Sequence, residues 1–136
     1  DVKPRLIIDD GKKVEFKPMN IKYENLSLIH RGMYKVVNEP KGTAYYSRIR
    51  NKKYAMSGKT GTSQVVSLEH TQDKEFKEID FNKRNHALFM GYAPSLKPKF
   101  AISVIVEHGG SGSGAAAPLG RLILYKAQKI WEKKKL

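Results

Sequence analysis

The sequence contains no cysteine among its 136 residues. This absence excludes disulfide bonds, thiolate nucleophiles and zinc sites built on cysteine. Its four histidines are far apart and form no His-x-x-x-His pair: His30, His70, His86 and His108. We therefore expect neither a metal site nor a cofactor from these residue types.

Long apolar runs are scarce as well. The longest, Ala101–Val106, is far shorter than the roughly 20 residues of a membrane-spanning helix, and no segment has the pattern of a signal peptide. With 40% apolar and 29% charged residues, the composition favours a folded, soluble domain over a disordered chain. The chain opens on Asp1 rather than on methionine, which predicts a piece of a longer protein.

Acidic residues are half as numerous as basic ones, 13 against 26, and the formal net charge is +13. Such a charge attracts polyanions such as nucleic acid or anionic lipid. The basic residues are spread along the whole chain, however, which favours a solvated basic surface. The densest cluster, Lys133–Lys135, complements the dipole at the end of a helix.

The first part of the chain predicts two short strands around a turn within residues 6–16, followed by a helix. Asn20 or Asn25 is the expected helix cap, and Pro40 with Gly42 is expected to end the helix. One apolar face of this helix comprises Leu26, Ile29, Met33, Val36 and Val37.

The rest of the chain predicts three strands and a second helix. Residues 54–66, 87–94 and 99–107 have strand patterns, and the short turn at 95–98 implies that the last two strands pair antiparallel. Residues 43–53 and 67–85 are polar connections. Residues 115–132 predict a helix whose inner face comprises Ala116, Leu119, Ile123, Ala127 and Ile130. The fold class is α+β, with an antiparallel sheet covered by helices.

Residues 58–62 read Gly-Lys-Thr-Gly-Thr, which resembles the end of a phosphate-binding loop. That loop needs a glycine five positions before Gly58, where this chain has Lys53. The residues that follow Thr60 are β-branched and glycine-bearing, which is unfavourable for the helix that the loop requires. The nucleotide-binding interpretation is therefore excluded.

A Gly-x-Gly-x-x-Ala string at residues 112–117 separates a predicted strand from a predicted helix. A dinucleotide-binding fingerprint also needs a second parallel strand with an acidic residue about 20 residues on. Here the helix runs almost to Leu136, so we interpret the string as a turn. Its glycines can still border a cleft, because glycine lets backbone segments approach closely.

Lys59-Thr60-Gly61 is one of three motifs that build the active site of penicillin-interacting enzymes. Matching stretches surround it in the same order: residues 32–44, 57–66, 86–94 and 106–118. The matching region as a whole extends over residues 24 to about 124. The chain resembles the C-terminal part of the transpeptidase domain of class B penicillin-binding proteins, most closely the elongation-specific penicillin-binding protein 2 type.

This resemblance implies a fold similar to that of serine β-lactamases and a peptidoglycan D,D-transpeptidase activity in the full-length protein. The implied partners are peptidoglycan stem peptides, β-lactam antibiotics and other cell-elongation proteins. The implied location is the bacterial inner membrane, with the catalytic domain on the periplasmic side. No nucleic-acid partner is implied.

The resemblance also assigns roles to the motif. Lys59 supplies positive charge and helps to polarise a relay serine, while the hydroxyls of Thr60 and Thr62 face the substrate carboxylate. The backbone N–H of Thr62 is one oxyanion donor, and Gly61 lets substrate lie against the strand. Strand alternation puts Lys59 and Thr60 on opposite faces, so both reach a cleft only where the strand borders it edge-on or is twisted.

The other two family motifs are absent. No serine has a lysine three residues later or an asparagine two residues later. Residues 1–136 are therefore expected to be a C-terminal fragment whose nucleophile lies upstream, and which alone neither reacts with penicillin nor cleaves peptide. Apolar surface exposed on such a fragment could drive self-association.

The alternative of a different class is a basic module that binds RNA or another polyanion. It rests on three tyrosines, Tyr45, Tyr46 and Tyr54, interleaved with basic residues at 48, 50, 52 and 53. No RNP-like motif accompanies them. A third interpretation is a structural or partner-binding domain without catalytic activity.

Overall fold

The structure, a computed structural model, describes residues 20–67 and 73–134. These residues contain five main elements: α1 (Tyr23–Asn38), β1 (Ser57–Ser63), β2 (His86–Ala93), β3 (Phe100–Val106) and α2 (Ala117–Lys133). The strands form one antiparallel sheet in the order β1-β2-β3. The predicted α+β class and the β2–β3 hairpin are confirmed. The hairpin predicted within residues 6–16 lies outside the described residues.

The start of α1 differs from the prediction and its end agrees with it. The helix begins at Tyr23, after Lys22, with no side-chain cap, so neither Asn20 nor Asn25 caps it. Asn25 is already inside the first turn, where the Leu26 N–H donates to the Lys22 carbonyl at 3.1 Å. The predicted apolar face is only partly covered: Val37 is buried, whereas Ile29 is 53% exposed.

A tight return after α1 brings the chain back towards β1. A Cβ added at Gly42 would lie 2.2 Å from the Val36 carbonyl oxygen, so only glycine fits there. The Ala44 N–H donates to the same carbonyl at 3.0 Å. Asn38, the last residue of α1, donates from Nδ2 to the Met56 carbonyl at 2.9 Å, which ties the helix to the residue before β1.

The core lies between the sheet and α2, and Phe89 of β2 is at its centre with 2% exposure. Its ring occupies space that glycines leave open. A Cβ at Gly58, Gly91 or Gly120 would come within 2.4, 2.9 or 2.5 Å of the Phe89 ring. The contact with Gly120 lets α2 lie close to the sheet, because the helix has no side chain there.

The inner face predicted for α2 is wrong at three of its five positions, whereas Ala116, in the turn before the helix, is buried and Ala127 is half-buried. Leu119, Ile123 and Ile130 are 44%, 51% and 56% exposed. The buried residues of the helix are Ala117, Gly120, Leu124 and Gln128. Both sets follow helical spacing, so periodicity cannot distinguish them, and the close contact of Gly120 with Phe89 decides which face turns inward.

A polar anchor joins the segment before β1 to the end of α2. The Tyr54 hydroxyl donates to the Glu132 carboxylate at 2.5 Å, and Gln128 Nε2 donates to the Tyr54 carbonyl at 3.1 Å. Hydrogen bonds from Lys53 and then from Tyr54 lower the pKa of the Glu132 carboxyl. Tyr54 lies in a 3₁₀ turn formed by residues 52–54, so the strand predicted for residues 54–66 is shorter in the structure and begins only at Ser57.

Candidate active site

The Lys59–Thr62 segment lies on β1, at one edge of the sheet described here. Its residues pair with Met90, Phe89, Leu88 and Ala87 of β2, in that order. On the other side of β1, half of the backbone N–H and C=O groups of an edge strand remain available to a ligand. The edge position is therefore suited to binding an extended peptide.

The register settles the two faces of the motif. Paired residues share a face, and Phe89 and Ala87 are buried beneath α2. Thr60 and Thr62 therefore lie on the α2 side of the sheet, while Lys59 lies on the opposite side with Met90. The predicted alternation is confirmed, and the edge position of β1 allows both faces to border one cleft.

Lys59 is exposed and carries a positive charge beside the strand. Its Nζ donates a hydrogen bond to the Thr60 carbonyl at 2.7 Å. Within residues 20–67 and 73–134 no carboxylate forms a salt bridge with it. The ammonium group can therefore turn towards an anionic ligand or a serine hydroxyl without breaking an ion pair.

Thr60 is held by Thr43, a residue for which the sequence predicts no role of its own. The hydroxyls of Thr43 and Thr60 share a hydrogen bond of 2.8 Å, which joins the loop after α1 to the motif strand. Thr43 lies inside the Gly42-Thr43-Ala44 stretch that contributed to the family resemblance, and that was the only sequence signal for it.

The side of Gly61 from which a side chain would project has few neighbouring atoms. A Cβ added there would meet only the Leu88 Cβ, at 3.4 Å, which is an ordinary contact. The fold therefore does not require glycine at this position. Internal packing leaves room for a methyl group at Gly61.

The second glycine string closes one end of the site. A Cβ at Gly112 would lie 2.4 Å from the carbonyl oxygens of both Gly61 and Leu88. This agrees with the prediction that the string brings backbone segments together. Residues 112–116 form a π-helical turn that leads into α2, with the Ser111 hydroxyl accepting from the Gly114 N–H at 3.1 Å.

Hydrogen bonds to the start of β2 and to the residue before it hold the loop that precedes this string. The His108 N–H donates to Nδ1 of His86 at 2.9 Å, and the Gly110 N–H donates to the Asn85 carbonyl at 2.8 Å. His108 and Gly110 both adopt positive φ, 54° and 84°. The left-handed pair turns the chain from β3 towards Thr62.

A groove of about 550 Å³ opens beside Thr62. Its walls include Gly110 and Ser111 of the turned loop, and Phe76 and Arg84 of the preceding connection. The Arg84 guanidinium lies 4.6 Å from the centre of the Phe76 ring, which holds it in place. The groove extends the edge of β1 at its C-terminal end and could hold the flank of a bound peptide.

The described residues contain no group of three His, Asp or Glu side chains that could hold a metal ion. Nor is any helix of residues 20–67 and 73–134 long and apolar enough to cross a membrane. One of the three tyrosines of the polyanion interpretation is withdrawn from the surface, because Tyr54 is 6% exposed whereas Tyr46 is 96% exposed. A buried ring cannot stack on a base, so this alternative loses part of its support.

Comparisons with known proteins agree with this geometry. The family model described as penicillin binding protein transpeptidase domain matches residues 2–125. The peptidoglycan D,D-transpeptidase MrdA of Salmonella typhimurium SL1344 is 40% identical over 97 residues, 71% of this chain and 15% of that protein. The MrdA of Escherichia coli K12 is 37% identical over 93 residues, 68% of this chain and 14% of that protein. This chain thus spans about 15% of the length of the curated relatives it matches.

Two solved structures share its fold. A complex between PBP2 and MreC from Helicobacter pylori has a TM-score of 0.58 and 35% identity, covering 83% of this chain and 18% of the other. PBP2 of Pseudomonas aeruginosa in complex with WCK 5153 has a TM-score of 0.54 and 37% identity, covering 71% and 18%. With a family model that matches most of its length, the chain belongs to the penicillin-binding protein transpeptidase family.

Proposed function

We propose that this chain is part of an elongation-type peptidoglycan D,D-transpeptidase, to which it contributes the Lys-Thr-Gly strand of the active site. The observation that carries the proposal is the placement of Lys59–Thr62 on a sheet edge, inside the stretch that matches the transpeptidase family. The names of the curated relatives support the reaction class.

In this reaction a serine hydroxyl attacks the D-alanyl-D-alanine peptide bond and the terminal D-alanine leaves. The acyl group then passes to an amine of a neighbouring stem peptide. We propose that Lys59 polarises the relay serine through its ammonium charge, and that Thr60 and Thr62 donate hydroxyl hydrogen bonds to the substrate carboxylate. The Thr62 N–H is one of the oxyanion donors.

The nucleophile and relay serine are proposed to lie on residues upstream of this chain. The absence of Ser-x-x-Lys and Ser-x-Asn from the 136 residues supports this placement. We propose that the whole protein is anchored in the bacterial inner membrane with its catalytic domain in the periplasm. Its proposed partners are peptidoglycan stem peptides, β-lactams and other cell-elongation proteins.

Labelling with a fluorescent penicillin tests the proposal. A protein that joins this chain to its upstream sequence is expected to be labelled stoichiometrically, and the 136-residue chain alone is not. Lys59→Ala is expected to slow labelling of the longer protein at least about 100-fold, the order of one lost electrostatic contact in an active site. Lys126→Ala removes an exposed lysine of α2 and is the matched control. Labelling of the chain alone, or equal effects of both substitutions, would contradict the assignment.

A further inference from the structure

A second concave surface lies on the loop after α1 and on α2, whereas Lys59–Thr62 lie on β1. Its volume is about 630 Å³. We name it the Arg–Tyr pocket after the side chains that dominate its walls: Tyr45, Tyr46, Arg48, Arg50, Arg121 and Tyr125. Such a concentration of two residue types in one concave surface is typical of binding sites rather than of general protein surface.

One arginine of the pocket is held in place by the fold. The Arg48 guanidinium lies 3.8 Å from the centre of the Tyr45 ring, and its Nη1 donates to the Tyr45 carbonyl at 2.9 Å. The Tyr45 and Tyr46 rings meet edge to face at 5.8 Å. Tyr46 is 96% exposed, so an aromatic face stands in solvent beside a fixed guanidinium.

The charge of the pocket is not neutralised from within. No acidic residue is among its lining residues, and in the part of the chain that the structure describes, Arg48, Arg50 and Arg121 form no salt bridge. Arginine presents a planar fork of N–H donors that fits carboxylates and phosphates. Three such groups around one cavity favour an anionic ligand with more than one charged group.

We propose that the Arg–Tyr pocket binds a carboxylate-bearing stretch of peptidoglycan. The arginines pair with stem-peptide carboxylates, and the exposed tyrosine rings pack against the flat faces of peptide or sugar. The proposal rests on the proposed function, which makes a carboxylate-rich glycopeptide the anionic polymer that this chain meets. The pocket binds a part of the peptidoglycan other than the peptide bond that reacts at β1. Single-stranded RNA is the competing polyanion, and the titration below distinguishes it from the glycopeptide.

The test uses a disaccharide tetrapeptide, which lacks the terminal D-alanine and so is not a donor substrate for β1. Titration of the ¹⁵N-labelled chain is expected to shift the amide signals of Tyr46, Arg50 and Arg121. The double substitution Arg50→Gln with Arg121→Gln changes exposed residues and is expected to weaken binding by about tenfold or more, as the loss of charge-assisted hydrogen bonds predicts. Lys126→Gln removes one charge from the same helix and is expected to leave the affinity unchanged.

Unchanged signals at the pocket would overturn the proposal, as would an equal loss of affinity in Lys126→Gln. Equal affinity for a peptide whose carboxylates are amidated would also overturn it, and so would tighter binding of a single-stranded RNA. Penicillin labelling of the longer protein is expected to be the same with and without the two arginine substitutions. A failure of the labelling test therefore rejects the transpeptidase assignment, whereas a failure of the titration rejects the pocket alone.

Discussion

Gly112 lies directly against Gly61: a Cβ added to Gly112 would come within 2.4 Å of the Gly61 carbonyl oxygen. This contact joins the π-helical turn that precedes α2 to the strand that carries the Lys-Thr-Gly motif. The two glycines are 51 positions apart in the sequence and have different reasons to be glycine. Gly112 is required by the protein's own packing, whereas Gly61 borders open space.

Gly112→Ala is expected to destabilise the chain by about 1–3 kcal/mol, because the added methyl group overlaps two carbonyl oxygens of the sheet. Urea denaturation measures the free energy of unfolding. Gly32→Ala is the matched control in α1, where nothing lies within 4 Å of the new Cβ. It is expected to stabilise the helix by about 0.5–1 kcal/mol. Equal effects of the two substitutions would show that the Gly112 contact is not tight.

Gly61→Ala is expected to change the free energy of unfolding by less than about 1 kcal/mol, since the new methyl group meets only the Leu88 Cβ. Penicillin labelling of the longer protein is expected to slow about tenfold or more, which corresponds to ~1.4 kcal/mol, because the methyl group separates the ligand from the strand. Unaltered labelling would reject the role that the family resemblance implies for Gly61, which is to let substrate lie against the strand.

The Thr43–Thr60 hydrogen bond is expected to contribute about 0.5–1.5 kcal/mol to stability. A double-mutant cycle with Thr43→Val and Thr60→Val measures this coupling, and Thr43→Ser keeps the hydroxyl as the control. Thr60→Val is also expected to slow penicillin labelling more than Thr43→Val, because only Thr60 is proposed to contact the ligand carboxylate. A coupling of zero would mean that the two hydroxyls do not interact in solution.

The Glu132 carboxylate is expected to make the free energy of unfolding depend on pH. Its pKa is lowered from the ordinary value of 4.5, chiefly by the hydrogen bond from Lys53 and then by that from Tyr54. A lowered carboxyl pKa contributes stability above pH 4.5, and this contribution is lost as the pH falls through the lowered value. Glu132→Gln is therefore expected to unfold at lower urea concentration at neutral pH and to lose less stability on acidification. Glu107→Gln, an exposed carboxylate outside this anchor, is the control, and identical pH profiles of the two variants would reject the linkage.

Self-association of the isolated chain stays a prediction, and an exposed apolar surface on the sheet is the candidate interface. Met90 and Ile105 are 58% and 63% exposed on the sheet face opposite α2. Light scattering is expected to show a mass above that of a monomer, which Ile105→Lys reduces. Ser103→Lys adds the same charge to the same face without removing apolar surface, and is expected to have a smaller effect. A monomeric mass at every protein concentration would contradict the prediction of self-association.

Local patterns were enough to predict the hairpin and the existence of both helices. The short turn at 95–98 leaves β2 and β3 no arrangement other than antiparallel pairing, and Pro40 with Gly42 ends α1 as expected. The caps were less predictable, because the first turn of α1 forms without a side-chain cap and asparagine residues flank its start. The inner face of α2 was not predictable, since apolar residues follow helical spacing on more than one side.

Residue types at fixed spacing along one strand are a local property, so the amino-acid pattern was enough to assign the family and to locate the motif of the proposed chemistry. Three features could be known only from the folded chain: the edge position of β1 in the described sheet, the Thr43–Thr60 hydrogen bond and the contact of Gly112 with Gly61. Each of these joins residues that are distant in sequence. No local pattern encodes these contacts, because they depend on how segments that are far apart in the sequence pack against one another.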